Sequence, residues 1–147
     1  MIEAILVPTD GSACADRALT FAADLAKAYG ATLTIIHVVP DATIPQIGEY
    51  EAYSAAEHLR LGDALTGLGE EIVRKAESDA RGLGAGELQT LMPSGSAAQR
   101  IVDAANDHDV DLVVMGRQGN GTFSELLLGS VSQKVLHTVK CNCLLVR

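Results

Sequence analysis

The chain has 147 residues, 48% of them hydrophobic but only 3% aromatic with no tryptophan, and a net charge of -8 from 11 basic and 19 acidic residues. That length suits one domain, residues 1–147, with a core built from Ala, Val, Leu and Ile, as when helices pack closely on a sheet. The acidic balance excludes general binding to nucleic acid or to an anionic membrane, which need a basic surface, but leaves room for a small anion held by backbone N–H groups.

No apolar run approaches the ~20 residues of a membrane span. The start, Met1-Ile-Glu-Ala-Ile5, lacks the basic and apolar stretches of a signal peptide. Three cysteines are too few and too odd in number for a disulfide framework, so a reducing cytoplasm is expected.

The first predicted element is a buried strand, Ile2 to Val7, ended by Pro8. Thr9-Asp10-Gly11-Ser12 follows, with Ser12 as a helix N-cap. Ala18, Ala22, Leu25, Ala26 and Tyr29 then recur at helical spacing, and Gly30 stops the helix. Ala31 to Val39 reads as a β-branched second strand. Pro45 and Gly48 mark a loop over 41–50. A long helix follows, Glu51 to Leu83, with a stripe of Leu61, Leu65, Leu68, Ile72 and Ala76. Gly62, Gly67 and Gly69 weaken it by ~1 kcal/mol each against Ala, so a kink or break is expected near Gly67.

Glu87 to Met92 is a third strand, less apolar than the others and so near a sheet edge. Pro93-Ser94-Gly95-Ser96 leads into a helix with Ala98, Ile101, Val102 and Ala105 inward. The apolar run Asp111 to Met115 is a fourth strand, running into a loop with Gly116, Gly119 and Gly121. A short apolar segment, Phe123 to Leu128, and the break at Gly129-Ser130 precede a last helix, Ser130 to Thr138. Asn142 to Arg147 is a fifth strand. Strand and helix alternate throughout, which means an open, five-stranded parallel sheet with helices on both faces.

Ligands of such sheets sit beyond the carboxyl ends of the strands, where strand order reverses. Two polar segments lie at that end: Pro8 to Ser12, and the glycine loop. They meet if the first and fourth strands are neighbours, which requires the order 3-2-1-4-5. Glycine lets backbone come close to a phosphate, and the free N–H groups of a helix start face it. The alternative is a strand–helix turn with no ligand. Asp10 either faces a ligand as a carboxylate or serves as a cap or turn residue. Ser130 and Gln133, and also Thr122 and Glu125, have capping-box spacing.

Gly116-x-x-Gly119, nine residues, then Gly129-Ser130 resembles the nucleotide loop of the universal stress protein family. Ile5-Leu-Val-Pro-Thr-Asp10-Gly-Ser, Ile36-His-Val-Val39, Asp111-Leu-Val-Val-Met-Gly116, Leu128-Gly-Ser-Val131 and Leu144-Leu-Val-Arg147 agree with it in one order along the whole chain. The resemblance implies a Rossmann-like fold of the adenine nucleotide alpha hydrolase-like type that binds ATP or AMP, with Mg²⁺, and acts in stress survival. It implies that Pro8, Thr9 and Asp10 line the adenosine and that Val38 contacts adenine through its backbone. Met115, Gly116, Gly119, Gly129, Ser130, Val131 and Ser132 would surround the ribose and phosphates. It also implies a homodimer through the C-terminal strand, whose Leu144, Leu145 and Val146 would leave an apolar open edge.

Gln118 stands where many members carry His, and Asn142 where a Pro is common. Cys14, Cys141 and Cys143 read as packing residues, since no third metal ligand accompanies the pair. His37 reads as a satisfied core histidine; His58, His108 and His137 lie on helices without metal-ligand spacing. The phosphate-binding lysine of Gly-x-x-x-x-Gly-Lys-Ser/Thr is absent, and Ser12 and Ser130 belong to no triad pattern. No catalytic residue or metal site is assigned. A regulatory nucleotide-binding module is therefore expected, with slow ATP hydrolysis or a ligand-free dimeric interaction protein as the alternatives.

Overall fold

Ile5, Leu6 and Val7 are fully buried, which puts β1 (Ala4–Pro8) in the centre of the molecule with apolar cover on both faces. Such double burial belongs to parallel sheets sandwiched between helices. The computed structural model describes residues 1–41, 55–120 and 128–147. β1, β2 (Thr32–Ile36), β3 (Leu88–Leu91), β4 (Leu112–Gly116) and β5 (Asn142–Val146) form one parallel sheet in the order β3-β2-β1-β4-β5. This is the predicted order, with the weakly apolar β3 at an edge.

The chain steps outward from β1 to β3, returns to β4 and steps outward again. Right-handed crossovers then place the first two helices on one face and the last two on the other. Ile5, Val7, Leu33 and Ile35 accordingly pack against α1 (Ala13–Tyr29) and the second half of α2 (Ala55–Gly82). Leu6, Ile36, Val113 and Met115 pack against α3 (Ala97–Asp107) and α4 (Ser130–Thr138). Small side chains do the close packing: Ala18, Ala22, Ala23 and Ala26 of α1 lie directly on the sheet. Ser12 caps α1 as expected, accepting from the Ala15 N–H at 3.2 Å, and Gly30 closes it in the left-handed conformation with φ 69.

Asp111 ties the start of β1 to β4. Its Oδ2 accepts from the N–H of Glu3 at 2.7 Å and of Ala4 at 3.0 Å. These donors, Glu3 first, hold its carboxyl below the usual carboxylate range.

Three expectations change in detail. β1 begins at Ala4 rather than Ile2, though Ile2 still packs on the core. Regular pairing of β2 ends at Ile36, with an isolated bridge from Val39 to Ser94 beyond it. The long helix shows no break at Gly67: it is continuous over Ala55–Gly82. Burial of Ala76 and Ala80 anchors that helix on the sheet, which offsets its weak glycines. The expected loop over 42–50, the helix start from Glu51, Gly121, the Thr122–Glu125 pair and the apolar residues 123–127 lie outside the described residues.

Candidate functional site

The carboxyl ends of β1, β2 and β4 open into a cavity of about 270 Å³. The sequence reading places eleven residues there. Pro8, Thr9, Asp10, Val38, Met115, Gly116, Gly119, Gly129, Ser130, Val131 and Ser132 all line it. The strand order decides this, because it sets β1 between β2 and β4.

The β1 loop and the β4 loop are joined through Asp10. Asp10 Oδ1 accepts from the Ser12 N–H at 3.0 Å, which makes the turn into α1. Its Oδ2 accepts from the Asn120 N–H at 2.9 Å, and Asn120 Nδ2 donates to the Asp10 carbonyl at 2.9 Å. Asp10 is therefore a turn residue and a clasp, not the helix cap; Ser12 has that role. Gly119 is required beside it, since a Cβ there would run into Asp10 Oδ2.

The β4 loop also closes on the start of α4. The Gly129 N–H donates to the Arg117 carbonyl at 2.9 Å, and Ser132 Oγ donates to the Gly116 carbonyl at 2.9 Å. Gly129 is the N-cap and makes no side-chain cap bond, so the expected Ser130–Gln133 capping box is not formed. The first intrahelical bond runs from the Gln133 N–H to the Gly129 carbonyl. The N–H groups of Ser130, Val131 and Ser132 consequently have no partner among the described residues.

At the β2 end the last rung is Thr9 N–H to the Ile36 carbonyl, at 2.9 Å. His37 is buried, as expected of a core histidine, and its Nδ1 lies 2.9 Å from the Thr9 carbonyl. The carbonyl can only accept, so Nδ1 carries the proton. The N–H and C=O of Val38 have no backbone partner among the described residues.

Sequence reasoning did not name Ala15, Ile36, His37, Ala97, Ile101, Gln118 and Asn120 as lining residues. Asn120 had a weak signal: an amide directly after a loop glycine. Ile101 had none, since helix periodicity shows only that it faces inward, and Ala97 was not read as inward at all. Among the described lining residues Asp10 is the one carboxylate and there is no Lys or Arg. Cys141 and Cys143 lie elsewhere, half-buried against the α3–α4 core. Burial raises the Cys141 thiol and pushes that of Cys143 up to about 11, so both stay protonated at neutral pH. No group of three or more His, Cys, Asp or Glu suited to a metal occurs among the described residues.

A family model described as the universal stress protein family matches residues 1–147. A universal stress protein of Thermus aquaticus is 36% identical over the full length of both chains. The structure of universal stress protein UspA from Lactobacillus plantarum superposes with a TM-score of 0.84 at 28% identity, covering 99% of this chain and 98% of that one. A universal stress protein solved in complex with cAMP superposes with a TM-score of 0.74 at 29% identity, covering 99% and 97%.

Proposed function

The chain belongs to the universal stress protein family, and on that premise we propose that its cavity binds an adenine nucleotide, ATP or AMP, as a regulatory module in the stress response. One observation carries this reading. A single cavity combines the open backbone edge of Val38 with the unpaired N–H groups at the start of α4. An N–H beside a C=O matches adenine, whose N1 accepts and whose 6-amino group donates. Guanine reverses both roles and would set donor against donor. The N–H groups of Ser130, Val131 and Ser132 suit a phosphate, helped by the helix dipole. The solved relative that holds cAMP supports the same ligand class.

Pro8, Thr9 and Asp10 would then flank the nucleoside, while Met115, Gly116, Gly119 and Gly129 let the backbone approach the ribose and phosphates. With ATP, a Mg²⁺ would be held by the phosphates. The lining favours binding over turnover. Both Asp10 oxygens already accept N–H groups, and no lysine lines the cavity among the described residues. Any hydrolysis would fall below the ~1–10³ per second of ordinary enzymes. The three free cysteines fit action in the reducing cytoplasm.

We also propose a homodimer through β5, which lies at an edge of the sheet. The Asn142 N–H and the Val146 carbonyl pair toward β4. By alternation the backbone groups of Cys143 and Leu145 point to the open edge, where a second copy can pair with them.

Titration calorimetry with AMP and with ATP–Mg²⁺ tests the nucleotide reading. The wild type binds, and Gly129→Asp loses at least about 100-fold in affinity by setting a carboxylate at the phosphate position. A Cβ at 129 sits 3.3 Å from the Arg117 carbonyl, so a thermal melt of the variant is run beside the titration to check that it folds. Equal affinities in the two proteins would overturn the assignment.

A further inference from the structure

In a parallel ladder each residue's N–H pairs with one residue of the neighbouring strand and its C=O with the residue two further on. Thr9 gives its N–H to the Ile36 carbonyl. The next rung would bring the Val38 N–H to the Thr9 carbonyl. That rung is not made, and His37 Nδ1 donates to the same carbonyl at 2.9 Å in its place. His37 and Val39 give their own N–H groups to β3 and to Pro93 on its far side, so the Val38 N–H is directed toward β1 and the cavity.

The ring is held in this position. Its side chain lies on the α1–α2 face of the sheet, where α2 passes directly over it. A Cβ on Gly69 would lie 2.9 Å from His37 Cδ2 and 3.2 Å from Nε2, so this turn of α2 has to be glycine. Met92 Sδ would lie 3.2 Å from the same Cβ.

We propose that His37 is a specificity-positioning residue: by occupying the Thr9 carbonyl it ends the β1–β2 ladder one rung early and keeps the Val38 N–H open for a purine ring nitrogen. This rests on the adenine-nucleotide reading of the same cavity. Without the imidazole, the Thr9 carbonyl and the Val38 N–H satisfy each other and the base-reading edge closes. His37 touches the backbone rather than the reacting or binding atoms of a phosphate, so its influence falls on the base and not on the anion.

Two measurements test this, one of them without ligand. In the ligand-free protein, amide hydrogen exchange at Val38 is fast beside the protected Thr9 amide. In His37→Ala it slows by at least about tenfold as the missing rung forms. In calorimetry, His37→Ala weakens AMP by about tenfold, the equivalent of one hydrogen bond. It leaves ribose 5-phosphate within about twofold, because the anion end is untouched. His37→Asn, whose amide can donate where Nδ1 does, restores AMP binding. A merely structural histidine would lower both affinities and the melting temperature together, with Val38 exchange unchanged, and that result overturns the proposal. So does a Val38 amide already protected in the wild type. Wild-type protein that takes no AMP would sink the adenine reading, and the exchange data would still decide whether His37 governs this amide.

Discussion

Asn120 and Asp10 hold each other twice. The Asn120 N–H donates to Asp10 Oδ2 and the Asn120 side-chain amide donates to the Asp10 carbonyl, each at 2.9 Å. The residues are 110 positions apart, so this pair joins the loop after β1 to the loop after β4 across the mouth of the cavity. Asn120→Ala removes the side-chain bond and leaves the backbone one. The expected result is a loss of about three- to tenfold in AMP affinity, since the clasp holds Gly119 and Asn120 in place at the cavity. Asp10→Ala removes both carboxylate contacts and should cost more. Calorimetry on the two variants, with thermal melts to confirm folding, checks the order. Asn120→Ala binding as tightly as wild type would show that the clasp is incidental.

The second prediction concerns the open edge. Leu145 carries an N–H that points away from β4, so Leu145→Pro removes a donor from the edge without breaking a rung to β4. Light scattering should give two chains for the wild type and one for the variant, while circular dichroism stays native-like. A wild-type monomer at micromolar concentration would refute the dimer.

The third is a pH dependence set by Asp111. Its folded pKa is depressed by the N–H donors of Glu3 and Ala4. A depressed carboxylate contributes stability above the unfolded value of 3.8 and loses it as pH falls through the lower folded value. Asp111→Ala should therefore be less stable than wild type at neutral pH, with the gap closing in acid below 3.8. Urea titrations across that range test it. A constant gap from neutral to strongly acid pH would mean that the carboxylate charge plays no part.

Much of this protein could be read along the chain. Alternating apolar segments and helical periods give a parallel α/β sheet because each element must bury its own apolar face, and that pattern is local. The weak apolarity of β3 marked it as an edge strand, and Ser12 and Gly30 marked the ends of α1 for reasons contained in a few residues. The eleven lining residues could be named because the resemblance to the universal stress protein family implies them; their meeting in one cavity follows from the strand ends and the start of α4 sharing one side of the parallel sheet. Tertiary structure alone decided what those residues do to one another. Asp10 reads locally as a ligand, a cap or a turn residue; the turn is formed, and Asn120 from a distant loop makes it a clasp as well. His37 reads as a core residue, yet its ring takes the carbonyl that would have closed the edge of Val38. Gly69 reads as a weak point in a long helix, yet that helix is unbroken and needs the missing Cβ to pass over the imidazole. Each of these turns on which polar group lies opposite which across the sheet, and periodicity along the chain carries no information about that.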